Sequence, residues 1–225
     1  MGRMTAFCGL VTAVVLTLGP ASAPLAGYDK GPYLCPDGTK LFFASKRAVP
    51  SGADRDFEIW VTDRAEDGWG EPRHLAAVGS PAYDNYPAVA SSGNLYFGSA
   101  RIEGRGRIFR SVWNGSSYEE AEVLTVGGVQ LGGADPYIDP EERFMVFSST
   151  RSGGFGEGDL YLALNERGGW TEPVNLGPII NTSTYEFTPF VSPDGRYLYF
   201  SRGWGEMWRI PIAEVEPLLD VVQGR

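Results

Sequence analysis

The chain has 225 residues with 28 acidic and 19 basic side chains, a formal net charge of −9. It is long enough for one domain with a sizeable core, and its acidity, with no basic run, disfavours a nucleic-acid backbone or an anionic membrane surface as partner. A single histidine excludes a two-histidine zinc site.

In chain order, the N-terminus carries Arg3 as its only charge, an apolar run from Thr5 to Leu18, and small residues at Gly19-Pro20-Ala21-Ser22-Ala23. A short charged start, an apolar stretch and an Ala-x-Ala-like site describe a secretory signal peptide. The run is short for a bilayer span. The expectation is a leader over residues 1–26 and one domain over 27–225; an N-terminal strand or a mis-called start is the alternative for the same residues. Without the leader Cys35 is the sole cysteine, so no intrachain disulfide forms, and a buried, inert thiol on an inner strand is expected.

From Tyr28 onward one pattern occurs four times. Prolines 32, 87, 136 and 189 open the copies, spaced 55, 49 and 53 residues. Four residues on comes a turn: Pro36-Asp37-Gly38, Ser91-Ser92-Gly93, Pro140-Glu141-Glu142 and Pro193-Asp194-Gly195. An aromatic strand follows (Leu41–Phe43, Leu95–Phe97, Met145–Phe147, Leu198–Phe200), then a Ser/Arg exit and a second short strand (Glu58–Trp60, Arg107–Phe109, Asp159–Tyr161, Glu206–Trp208). Three copies close with an aromatic six residues before a leucine: Trp69/Leu75, Tyr118/Leu124 and Trp170/Leu176. A period near 50 with about four short strands per unit predicts an all-β propeller of four ~50-residue, four-stranded blades. Each proline is expected to begin an inner strand, the Asp-Gly turns to take positive φ, Pro72 and Pro173 to lie in outer-edge strands, and residues 213–219 to form a capping helical turn.

The stretches Pro193–Ser201, Phe147–Gly156 and Gly169–Gly177 with Ile180-Asn181-Thr182 resemble the TolB-like β-propellers of the WD-repeat-like group, over roughly residues 28–212. The resemblance implies the fold. It leaves the activity open, because such propellers serve as periplasmic interaction modules, as domains beside peptidases, and in other roles. The family's rings usually have about six blades, so four imply an open or incomplete ring, or two exposed edges that pair with a second copy.

Strand alternation places the acids Asp29, Asp84, Asp135 and Glu186 on one rim with Arg47, Arg101, Arg151 and Arg202. Because the acids recur in every copy, pairing with the arginines to staple neighbouring blades is expected rather than catalysis. Residues that break the repeat are the better binding candidates: Phe155 and Trp204, aromatic rings flanked by glycine in rim loops, where they either stack on a flat ligand or fold down as local core. Asp54-x-Asp56-x-Glu58 places oxygens at alternate positions but lacks the glycine and distal glutamate of an EF-hand. His74 falls on an outer strand, away from the axis. No nucleophile elbow, P-loop or dinucleotide fingerprint occurs. Asn114 and Asn181 head glycosylation patterns that matter only in a eukaryotic secretory route. The reading is a non-enzymatic, periplasmic or secreted module, without cofactor or metal, whose rim binds a protein or envelope glycan. The alternative is a glycosidase or lyase using rim carboxylates, which would need two of them converging with no arginine between.

Overall fold

Each copy folds as an antiparallel meander. The computed structural model describes residues 2–3, 29–49, 56–166, 169–203 and 205–224. Blade one comprises β2 (Asp29–Leu34), β3 (Lys40–Ser45) and β4 (Glu58–Ala65), with an outer edge split into β5 (Gly68–Trp69) and β6 (Arg73–His74). Blade two is β7 (Asp84–Val89), β8 (Leu95–Ile102), β9 (Arg105–Ser111) and β10 (Glu122–Val123); a small hairpin, β11 (Thr125–Val126) with β12 (Val129–Gln130), leads onward. Blade three is β13 (Ala134–Ile138), β14 (Phe144–Ser149) and β15 (Asp159–Glu166), edged by β16 (Gly169–Trp170) and β17 (Val174–Asn175). Blade four is β18 (Glu186–Val191), β19 (Tyr197–Arg202) and β20 (Glu206–Pro211), with β1 (Gly2–Arg3) as its fourth strand. Pro72 and Pro173 fall in the breaks between the two halves of an outer strand, because proline has no N–H to give the ladder. β1 pairs with β20; the rest of the expected leader, residues 4–26, lies outside the described residues.

The turns follow the sequence. Gly38, Gly93 and Gly195 have φ of 72°, 88° and 67°, and Glu142 holds the same place in blade three at 58°. Each donates its N–H to the carbonyl three residues back. The inner strands differ from expectation. They begin three residues before the proline in blades one, two and four and two before it in blade three, and each has a register shift just ahead of it. The residue preceding proline is left-handed in all four copies: Gly31, Tyr86, Asp135 and Thr188, with φ of 56°, 47°, 52° and 49°. Proline disfavours the right-handed helical region for its predecessor. A bulge with one left-handed residue lets the strand continue past a residue that cannot join the ladder. Cys35 lies one residue past β2, in the turn, where it is buried as expected.

Inner strands pack in sequence, β2 on β7, β7 on β13 and β13 on β18, and no comparable contact among the described residues brings β18 back to β2. Alternation decides which neighbour a side chain meets. Two residues after the proline, Val89, Ile138 and Val191 are buried in clusters shared with the preceding blade, whereas Leu34, with no blade before it, is 47% exposed. One residue after the proline, Ala88 and Tyr137 pack forward, whereas Phe190 is 43% exposed. Among the described residues the arc is therefore open between its first and fourth blades. A 3₁₀ turn (Ile212–Glu214) and helix α1 (Glu216–Val222) cap the cluster between blades three and four through Ile212, Val215 and Leu218. Among the described residues no helix is long and apolar enough to cross a membrane.

Candidate functional site: the rim and the axial mouth

Three of the four expected rim pairs form. Arg47 Nη2 donates to Asp29 Oδ2 (2.8 Å), Arg101 Nη2 to Asp84 Oδ1 (2.9 Å) and Arg202 Nε to Glu186 Oε1 (3.0 Å), and the Asp84 and Glu186 side chains are fully buried. Each pair lies within one blade. The staple between blades comes from the rest of the guanidinium, as Arg101 also donates to the Val78 carbonyl (2.7 Å) and Arg202 to the Ile180 carbonyl (2.5 Å), both on the segment entering from the preceding blade. All four arginines also lie over an aromatic ring, the closest approaches being Arg202 on Trp208 (4.3 Å) and Arg101 on Phe109 (4.6 Å). Burial lifts the Asp84 carboxyl above its usual range, against hydrogen bonds from Ser99, Arg101 and Ser80. The arginine is what makes these buried carboxylates tolerable.

The third blade breaks the pattern. Asp29, Asp84 and Glu186 stand three residues before their prolines, but Asp135 stands one before; the third-place residue is Gly133. A Cβ there would lie 2.6 Å from the Phe147 ring and 2.8 Å from the Ser148 carbonyl, so no carboxylate fits. Arg151 consequently has no carboxylate partner among the described residues: its Nε is 3.5 Å from Ser149 Oγ and its guanidinium lies over Tyr161 (4.9 Å). Asp135, expected as a rim acid, instead sits among the bulge residues of the inner strands, 6% exposed. Burial pushes its pKa up to about 6, opposed by the Thr188 N–H, Lys30 and Ser148. Across from it Lys30 of blade one lays its ammonium over Phe57 (3.8 Å), Tyr83 (3.9 Å) and Tyr86 (5.3 Å). Burial lowers its pKa to about 8, against the attraction of Asp135 and Asp56. Tyr86 covers Gly31, whose Cβ would be 2.7 Å from the Tyr86 ring. The four bulge positions thus carry the same backbone and four different side chains. Recurrence makes their strain architectural; the differences make the axial mouth chemically individual.

Phe155 is 50% exposed in a loop fixed from below, since its N–H and that of Gly156 donate to Asp159 (2.7 and 3.1 Å), which also accepts from Asn175 Nδ2 (2.7 Å). The ring stands out rather than folding down as core. Trp204 lies outside the described residues, as does Asp54. Asp56 pairs with Lys46 (2.9 Å), and no group of acids, cysteine and histidine able to hold a metal occurs among the described residues. His74, on the outer β6, faces Glu58 Oε2 (3.3 Å). Lys30, Tyr86 and Asp159 were not singled out from the sequence. Counting back from each proline exposes the first two, because their places carry a different side chain in every copy.

No family model matches the chain, and no curated protein matches it. Among solved structures it is similar to a putative TolB from Agrobacterium tumefaciens, at 18% identity and a TM-score of 0.51, covering 75% of this chain and 52% of that one. It is also similar to a gluconolactonase from Xanthomonas campestris, at 16% identity and a TM-score of 0.50, covering 81% of this chain and 56% of that one. The chain spans about half the length of these two structures. At such identities the likeness is one of architecture, and it agrees with the repeat and the blade order: the fold is that of a TolB-like β-propeller.

Proposed function

We propose that the protein is an exported, non-enzymatic interaction module, periplasmic or secreted, that binds a protein or envelope-glycan partner through its rim. The observation carrying this reading is the engagement of the rim carboxylates by arginine. A glycosidase needs two carboxyl groups about 5 to 10 Å apart with one free to ionise and one to donate. Asp29, Asp84 and Glu186 each hold a guanidinium, which leaves Asp135 alone outside such a pair. What the rim offers is a rigid frame presenting an exposed ring, Phe155, and the individual axial mouth. Self-association through the open faces at Leu34 and Phe190 belongs to the same reading. The test is co-sedimentation of the purified protein with envelope fractions, alongside Phe155→Ala and a glycan-cleavage assay. The expected result is retention lost in Phe155→Ala with an unchanged melting temperature and no cleavage. Cleavage abolished by Asp135→Asn would overturn it in favour of an enzyme.

A further inference from the structure

Of the 19 basic side chains only three are lysines, and the fold treats one of them differently. Lys40 pairs with Asp63, and Lys46 with Asp56 (2.9 Å). Lys30 has no ion pair among the described residues. Its ammonium is set against ring faces instead: Phe57 at 3.8 Å, Tyr83 at 3.9 Å and Tyr86 at 5.3 Å, with Phe57 and Tyr83 themselves edge to face at 5.3 Å. The backbone beside it is fixed as well, because the Tyr86 ring covers Gly31 closely enough to exclude a Cβ. The place is not dictated by the repeat. Two residues before each proline stand Lys30, Asn85, Ala134 and Phe187, so blade architecture does not call for an amine there. Lys30 is half-buried at the axial mouth, and its nitrogen is not sealed from solvent.

This setting favours the free amine. The rings attract an ammonium, but they carry no full counter-charge, so they replace only part of the water it gives up. The charged groups around it are Asp135 from blade three, Asp56 beside Phe57, and Lys46, whose own nitrogen lies 4.9 Å from the Phe57 centroid. Burial outweighs the attraction of the two acids, Lys46 adds repulsion, and the Lys30 pKa is lowered to about 8. Burial also pushes the Tyr86 phenol up to about 12, so that ring supplies no anion. About a tenth of Lys30 is then unprotonated at pH 7. A lysine stripped of water in an apolar pocket is an activated nucleophile toward carbonyl carbon. With the amine neutral, the carboxylate of Asp135 faces it, which repels an anionic carbonyl compound, while the rings suit a flat apolar one.

We propose that Lys30 is a covalent capture site for small neutral aldehydes, aromatic ones above all. The amine nitrogen attacks the carbonyl carbon, its proton passes to the carbonyl oxygen, and the carbinolamine loses water to leave an imine. Nothing is oxidised or reduced. The site goes beyond the partner binding proposed for the rim and does not depend on it. The test is benzaldehyde with sodium cyanoborohydride, which traps the imine as a secondary amine, on the full chain at pH 7. Peptide mapping by mass spectrometry separates Lys30, Lys40, Lys46 and the N-terminal amine. The expected result is modification of Lys30 about tenfold or more faster than Lys40 or Lys46. That preference narrows as pH is raised through 8 toward about 10, the ordinary lysine range, because Lys30 is then wholly amine and gains nothing more. Asp135→Asn removes an attraction that holds the proton on Lys30 and raises its rate at pH 7 by about two- to fivefold. The anionic para-carboxybenzaldehyde shows a smaller preference for Lys30, and Phe155→Ala reacts like the parent. Equal rates at the three lysines, Lys30 the slowest of them, or no gain at Lys30 in Asp135→Asn would each overturn the proposal.

Discussion

Asp135 is buried and has no guanidinium partner among the described residues. Its folded pKa, about 6, lies above that of the unfolded chain. The stability it contributes is therefore complete below about pH 4 and is lost as pH rises through about 6. Asp135→Asn keeps an acceptor for the Thr188 N–H and removes the charge. It should raise stability at pH 7 by about 1–3 kcal/mol, at about 1.4 kcal/mol per unit less the lost attraction to Lys30, and flatten the melting temperature between pH 4 and 6. A less stable variant at pH 7 would mean that the Lys30 attraction outweighs the burial. Gly133 is the complementary case: Gly133→Ala drives a methyl into Phe147 and the Ser148 carbonyl and should cost about 1–3 kcal/mol in urea unfolding. These two residues also show where reading by proximity failed. An acid near each proline looked like one recurring position, and only the count back from the proline separates the pre-proline bulge from the arginine-paired site. The arginines were legible because the Ser/Arg exit recurs in register.

At the scale of elements, strand order, turn chemistry and the C-terminal cap could be read because each rests on local residue types: aromatic runs, glycine at positive φ, proline where the ladder is interrupted. The bulges could not, since a left-handed residue before proline has no fixed side chain, as Gly31, Tyr86, Asp135 and Thr188 show. A cleft between blades one and two was illegible for a related reason: it is walled by Trp113, which packs over Gly93, and nothing local to either residue places that ring there. Helix α1 is a seven-residue element, too short to persist alone, and is held by the side chains it buries. Leu218 is fully buried in the cluster of blades three and four. Leu218→Ala should cost about 2–5 kcal/mol in a denaturant titration and leave the rim pairs of blade two in place. A loss under about 0.5 kcal/mol, the scale of surface substitutions, would show α1 to be an appendage rather than a cap.

At the scale of the whole molecule, a row of blades in which each packs on the next ends with two faces that meet no further blade among the described residues. Interior faces are apolar, with Val146, Leu160 and Leu162 buried against blade four. The corresponding places on blade four's outer face are Tyr199, Met207 and Arg209, half-buried or exposed, so that face is partly polar in the manner of a terminal repeat. Phe190 remains apolar and exposed on it, and Leu34 on the far side of the gap. Two faces of one chain, each exposing one large apolar side chain among the described residues, suit a weak two-fold contact better than an obligate one, because stable interfaces bury on the order of 1,200–2,000 Å². Sedimentation velocity over a range of concentrations should therefore show a reversible monomer–dimer equilibrium. Phe190→Glu should shift it to monomer without lowering the melting temperature, since that ring is solvated before association. A monomer at every concentration would mean that the polar substitutions on blade four suffice to keep the open face in water, and that the gap serves no second copy.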